Sequence, residues 1–410
     1  MVTLDKVYHA AYVLKDVIRK TDLIYAPKIN PEAQIYLKTE NLQITGSFKV
    51  RGAYYKISQL SKEEREKGVI ACSAGNHAQG VALAAQKSGI PALICIPDGA
   101  PISKVENTKS YGAQVELVKG VYDDAHRRAC ELQEQSGRTF IHPFDDPDVI
   151  AGQGTIGLEL LDQLPDVDAV IVPVGGGGLI SGVAFAIKSL NPNCKVYGVQ
   201  ASGAASMKEA ISHHQIAALE RVRTFADGIA VKCPGDLTYE MVNQYVDDVV
   251  TVTDDEIATA ILTLIEQHKL ISEGAGAVSV AAAMFNKVDV KGKRVACLVS
   301  GGNIDVTILS RVINRGLLKA GRLVDLTLEL DDKPGQLKEV AGIIADLGGN
   351  VVHVRHDHGG EDTDIGGCYL SIQMETRNNE HVEEIRRAIS EAGYKIIKYF
   401  GIGRGNEVCV

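Results

Sequence analysis

The sequence predicts an α/β chain in two parts, a core of parallel-type sheets covered by helices and a smaller C-terminal unit of βαββαβ order. Three observations carry this reading. Apolar, β-prone runs recur from Val69 to Val299 with amphipathic stretches between them, the pattern of strands buried on both faces. After Arg322 the pattern changes to apolar/polar alternation, the signature of a sheet with one wet face. The length, 410 residues, is too great for one small core and points to two or three packed units.

In the core, Val69–Cys72 reads as a buried strand, followed by a turn and a helix through Ala78–Ala85. Strands follow at Pro91–Pro97, Gln114–Val118, Ala169–Val174, Val196–Gln200 and Val295–Val299. In such an architecture ligands gather at the carboxyl ends of the strands. Arg315–Gly321 reads as a short connector, which sets the boundary between the two parts near residue 321. Beyond it, Leu323–Leu330 is a half-buried strand, and Asp332-Lys333-Pro334-Gly335 a turn. A helix through Leu337, Val340, Ile343, Ile344 and Leu347 ends at Gly348-Gly349-Asn350. Val351–His356 and Tyr369–Met374 are strands, Glu380–Glu391 a helix, and Tyr394–Ile397 a last strand, a ferredoxin-like order.

Composition narrows the function. A formal net charge of −9, with no long Lys/Arg run, argues against a nucleic acid or an anionic membrane as partner. No stretch reaches the ~18 uninterrupted apolar residues of a membrane span. The start lacks the charged-then-apolar pattern of a signal peptide, so a cytoplasmic protein is expected. The eight cysteines form no Cys-x-x-Cys pair, which gives metal knuckles and dithiol redox chemistry no support and points to reduced, buried thiols.

Four segments carry chemistry. Lys49 stands among Gly46, Ser47, Phe48 and Val50, an apolar setting in which a lysine gives up its proton more readily, as a Schiff-base nucleophile must. Taken alone it would be an ordinary surface lysine. Gly175-Gly176-Gly177-Gly178-Leu179 follows a buried strand and opens an apolar helix, so consecutive backbone N–H groups form a nest for a phosphate. It lacks the Gly-Lys-Ser/Thr of a nucleotide-binding P-loop, and a monophosphate without a metal fits it better. Ser73-Ala74-Gly75-Asn76-His77 offers N–H groups and a hydroxyl to a carboxylate, and the Asn76 amide to a phenolic oxygen, although a bare helix cap reads the same way. Ser300, in Val299-Ser300-Gly301-Gly302-Asn303, puts a hydroxyl at the end of the last core strand.

Taken together, these segments closely resemble the fold type II pyridoxal-phosphate enzymes, and among them the serine/threonine dehydratases, over residues 1 to about 320, with a small lobe at about 46–150. The resemblance implies that Lys49 forms the Schiff base to pyridoxal 5′-phosphate and that Phe48 packs on its ring. It further implies that Gly175–Gly178 and Leu179 hold the phosphate, that Asn76 meets the 3′-oxygen and Ser300 the ring nitrogen, and that Ser73–His77 clamps the substrate carboxylate. The implied reaction is loss of water from L-threonine, and from L-serine, to give 2-oxobutanoate or pyruvate and ammonia. A serine opposite the ring nitrogen suits elimination, which needs no long-lived carbanion. Racemases that resemble this chain carry a second serine where it has Ala74, so racemisation is the weaker alternative. Members with a divalent-cation site carry carboxylates where this chain has Gln200 and Ser206, so no metal is expected there, whereas a monovalent ion on backbone carbonyls stays open.

The C-terminal part, around Asp331-Asp332-Lys333-Pro334-Gly335-Gln336-Leu337, resembles an ACT domain, an amino-acid-sensing module, over about residues 323–403 of a unit spanning 321–410. That implies an amino-acid effector near Gly335, Gln336, Leu337 and Asn350, with isoleucine or valine the candidates of a biosynthetic enzyme and another effector that of a catabolic one. A homo-oligomer, dimer or tetramer, is expected. His353, His356 and His358 have no cysteine or carboxylate at zinc spacing beside them and read as solvated strand-edge residues.

Overall fold

The computed structural model describes residues 2–358 and 366–400; Cys409 and the remainder of the predicted 321–410 unit lie outside them. The chain divides into two compact units, Met1–Asp305 and Val306–Val410. The strands of the first are β1 (Leu23–Tyr25), β2 (Gln34–Lys38), β3 (Val69–Cys72), β4 (Ala92–Pro97), β5 (Gln114–Val118), β6 (Thr139–Phe140), β7 (Ala169–Pro173), β8 (Lys195–Ala201), β9 (Asp248–Val252) and β10 (Arg294–Leu298).

They form two sheets. One is ordered β5-β4-β3-β6 and is parallel throughout. The other is ordered β1-β2-β10-β7-β8-β9 and is parallel except for β1 at its edge. Every residue of β3 and of β7 is buried, which is why both read as unbroken apolar runs. Their carboxyl ends feed the motifs directly: β3 into Ser73, β7 into the glycine loop, β10 into Ser300. The sequence pattern showed one series of strands and did not reveal β1, β2, β6 or β9. β6 has two residues, and β2 ends in Lys38, a fully buried lysine that looks like a surface residue in the sequence.

The second unit opens with the helix Val306–Lys319, which absorbs the predicted connector Arg315–Gly321 up to Lys319. The division between the units therefore falls ahead of this helix and not near residue 321, because the helix packs against the strand that follows it. Strands β11 (Leu323–Asp331), β12 (Asn350–His358), β13 (Gly367–Glu375) and β14 (Lys395–Phe400) make an antiparallel sheet ordered β12-β13-β11-β14. The alternating residues Val324, Leu326 and Leu328 pack with Leu370 and Ile372 against Val340 and Ile344 of the helix Gln336–Asp346 and Ile385 of the helix Asn379–Glu391.

Candidate active site

Lys49 is the first residue of the helix Lys49–Ser58. Its approach is pinned to the end of β10: Phe48 N–H donates to Ser300 O at 3.2 Å and Gly302 N–H to Gly46 O at 2.8 Å. Gly46 takes a positive φ of 69°, open to glycine at little cost, which turns the chain into the helix. Helix Asn76–Ser88 crosses directly over this point, since a Cβ on Gly80 would stand 3.0 Å from the Lys49 carbonyl carbon. The glycine thus lets the Ser73–His77 loop and Lys49 share one site.

Two residues on, Arg51 anchors the helix from beneath. Its fully buried guanidinium donates to Glu40 at 2.8 and 2.7 Å and to Glu159 at 2.7 and 3.0 Å, and Lys38 Nζ donates to Glu159 at 2.6 Å. Two cations and two carboxylates close a neutral cluster in which each charge is paired, the condition for burying them.

The glycine loop turns at Gly177, φ 102°, into the helix Gly178–Leu190. Thr238 Oγ1 donates to Gly176 O at 2.6 Å, and a Cβ on Gly177 would stand 2.7 Å from Thr238 Cβ. On Gly178 a Cβ would stand 2.7 Å from the backbone of Phe144. Side chains are excluded here by packing as well as by dihedral angle, so the loop presents bare backbone at a helix N-terminus, where N–H groups lack intrahelical acceptors.

A cavity of ≈ 830 Å³ gathers these parts. Lys49, Phe48, the whole Ser73–His77 segment, Gly175–Leu179 and Ser300 all line it. Lys49 Nζ donates to Pro143 O at 2.9 Å and lies 5.2 Å from the centre of the Phe48 ring. Burial lowers its pKa to about 8, against the opposing pull of Glu273. Ser73 Oγ accepts from Gly75 N–H at 3.1 Å, which shapes the loop. Asn76 Nδ2 donates to Glu273 Oε1 at 2.6 Å, while Asn303 Nδ2 donates to Asn76 Oδ1 at 2.8 Å and to Thr45 O at 2.7 Å. Ser300 Oγ is 3.5 Å from Ala275 O. His77 is buried and its Nε2 is bonded to Ile141 O at 2.8 Å, with burial and the Lys49 charge holding its pKa down at about 3. Its Nε2 is thereby committed to the protein.

Glu273 is the residue the sequence reading missed. It is buried in the cavity wall, and burial, with Asp227 adding, raises its carboxyl to about 7. Its signal in the sequence was a carboxylate heading the small-residue run Gly274-Ala275-Gly276. Gln200 and Ser206 are both fully buried, and Gln200 Oε1 accepts from Lys208 N–H at 2.9 Å. In the second unit, Gly335 caps the helix Gln336–Asp346 at φ 103°, Leu337 is exposed, and Asn350 Nδ2 donates to Glu375 at 2.9 Å.

Comparison with known proteins gives the family. The family described as "Pyridoxal-phosphate dependent enzyme" matches residues 14–301. An L-threonine ammonia-lyase of Thermotoga maritima is 53% identical over 398 residues, covering 97% of this chain and 99% of that protein. The processed form of threonine deaminase isoform 2 from Solanum lycopersicum superposes with a TM-score of 0.72 at 40% identity, over 76% of this chain and 93% of that one. Maize serine racemase does so with a TM-score of 0.73 at 36% identity, over 77% of this chain and 98% of that one. The chain is an enzyme and belongs to the pyridoxal-phosphate dependent family.

Proposed function

We propose that the chain is an L-threonine ammonia-lyase, also active on L-serine, under amino-acid control through its C-terminal unit. The observation that carries this reading is the convergence of Lys49, Asn76, the glycine loop and Ser300 in one cavity, in a chain that aligns almost end to end with an L-threonine ammonia-lyase.

The residues present fit pyridoxal phosphate. The bare backbone of Gly175–Gly178, with the Leu179 N–H, would hold its phosphate. Lys49 Nζ would bond its carbonyl carbon, Phe48 would pack on its ring, Asn76 would meet its 3′-oxygen, and Ser300 Oγ its ring nitrogen. When bound, the cofactor supplies a carbonyl for the substrate's amine and an electron sink for the Cα–H bond.

The chain's own groups do the rest. N–H groups of the Ser73–His77 loop, at the start of the helix Asn76–Ser88, orient the substrate carboxylate. Lys49 Nζ, with its lowered proton affinity, takes the Cα proton. Departure of hydroxide from Cβ then leaves an enamine, which tautomerises on release and hydrolyses to 2-oxobutanoate and ammonia. Ala74 offers no proton from the second face of Cα, which supports elimination over racemisation.

Gly335, Gln336, Leu337 and Asn350 would receive the effector, isoleucine or valine, in a biosynthetic, cytoplasmic homo-oligomer. Coupling between such a site and catalysis is typically ~1–3 kcal/mol. The test is release of 2-oxo acid from threonine and from serine, each with and without isoleucine and valine. Release from threonine that isoleucine suppresses is expected. Release from neither substrate would overturn the activity, and indifference to both effectors the regulation.

A further inference from the structure

His353, His356 and His358 do not share a face. His353 pairs with Gln373 on the outer side of the sheet, whereas His356 pairs with Leu370 and His358 with Cys368, on the side that packs against the helices. Cys368 in turn pairs with Leu330 across β11, and strand alternation carries that face on to Asp332. Asp332 N–H donates to Gly366 O at 2.9 Å, holding it beside the start of β13.

Strands β12 and β13 and the residue just beyond β11 thus bring imidazoles, a thiol and a carboxylate to one end of the sheet. One ligand atom each from Asp332, His356 and Cys368 lies within 4.8 Å of the others. His356 Nε2 is 3.0 Å from Cys368 Sγ, and His358 Nε2 is 3.1 Å from Asp332 Oδ2. Cys368 is buried at the floor, while Asp332 and the two histidines are open to solvent. Zinc binds thiolate at ~2.3 Å and imidazole at ~2.0 Å, so the ligands of a tetrahedral ion stand roughly 3.5 Å apart, within the spread of this cluster. A thiol with an imidazole disfavours calcium and magnesium, which take oxygen ligands.

We propose that Asp332, His356 and Cys368 bind a divalent transition-metal ion of the zinc class, with His358 orienting the Asp332 carboxylate. Binding replaces the Cys368 thiol proton, which passes to solvent, by a sulfur–metal bond, and three protein ligands leave one coordination position open. The ion would tie β12 and β13 to the turn that leads to Gly335. The sequence concealed the site because its members come from β12, β13 and the residue that follows β11, with no ligand spacing of a local zinc motif.

The test is titration of the holoenzyme with Co²⁺, read as a difference spectrum so that the cofactor's own absorbance cancels. A thiolate-to-cobalt charge-transfer band that saturates at one ion per chain and is removed by excess Zn²⁺ is expected. Cys368→Ser should abolish the band and His356→Ala weaken it, while His358→Ala should lower affinity about 10-fold. His353→Ala should change nothing. Absence of the band, or a band that persists undiminished in Cys368→Ser, overturns the proposal. Should Cys368→Ser not fold, His356→Ala at its exposed strand position decides the question, an unchanged band being the adverse result.

Discussion

Glu273 accepts the Asn76 side-chain amide at 2.6 Å, inside the same cavity as Lys49. Because Asn303 donates to the other end of that amide, the orientation of Asn76 is fixed from both sides. The carboxyl is raised from 4.5 to about 7, first by burial. A raised carboxyl stabilises the fold fully below the unfolded value and loses that contribution as pH climbs through the folded one. Glu273→Gln removes the titration. The stability of the cofactor-free variant relative to wild type should therefore rise between pH 4.5 and about 7, as measured by urea unfolding. A difference independent of pH would contradict the assignment.

Lys49→Ala should remove the visible absorbance of the bound cofactor and lower turnover by ~10²-fold or more. In wild type, only the neutral amine attacks a carbonyl. Capture of added cofactor by the cofactor-free protein should therefore accelerate as pH rises through about 8, where burial has brought the Lys49 amine. Stopped-flow absorbance across that interval checks this, and a flat profile would count against it.

Arg51→Ala leaves the buried carboxylate of Glu40 without its main counter-charge and should destabilise the first unit by about 3–5 kcal/mol in urea unfolding. Arg51→Lys should restore little, because one ammonium cannot reproduce a guanidinium bonded to two carboxylates.

Gly177→Ala forces a side chain onto a φ of 102° and to within 2.7 Å of Thr238 Cβ. The loop must shift, and cofactor affinity should fall by about 10-fold or more, ~1.4 kcal/mol, by equilibrium dialysis. Unchanged affinity would mean that the loop does not bind the phosphate.

Much of this is legible in the sequence. Val69–Cys72 coincides with β3 because an apolar run bounded by turns leaves few alternatives, and Gln114–Val118 coincides with β5, where polar Gln114 and Glu116 alternate with Val115 and Leu117. The Ser73, glycine-loop and Ser300 motifs were visible because each follows a strand, and the Lys49 motif because it leads from a loop into a helix; that local grammar is written in glycine and small residues. What escaped depended on distant partners. Lys38 reads as a surface residue until Glu159 is placed 2.6 Å away, and Glu273 as a helix cap until Asn76 arrives from another segment. His356 and Cys368 likewise look unrelated until the strand register brings them together.

The group that receives the Lys49 ammonium is the main-chain carbonyl of Pro143. No side-chain substitution deletes a carbonyl oxygen, so saturation mutagenesis at position 143 would leave the contact chemically intact and alter only its direction. A proline there narrows even that freedom, because its ring fixes φ. Evolution of this enzyme toward new substrates should therefore leave the position of the lysine before the cofactor binds almost untouched, and draw its variation from the side chains around it.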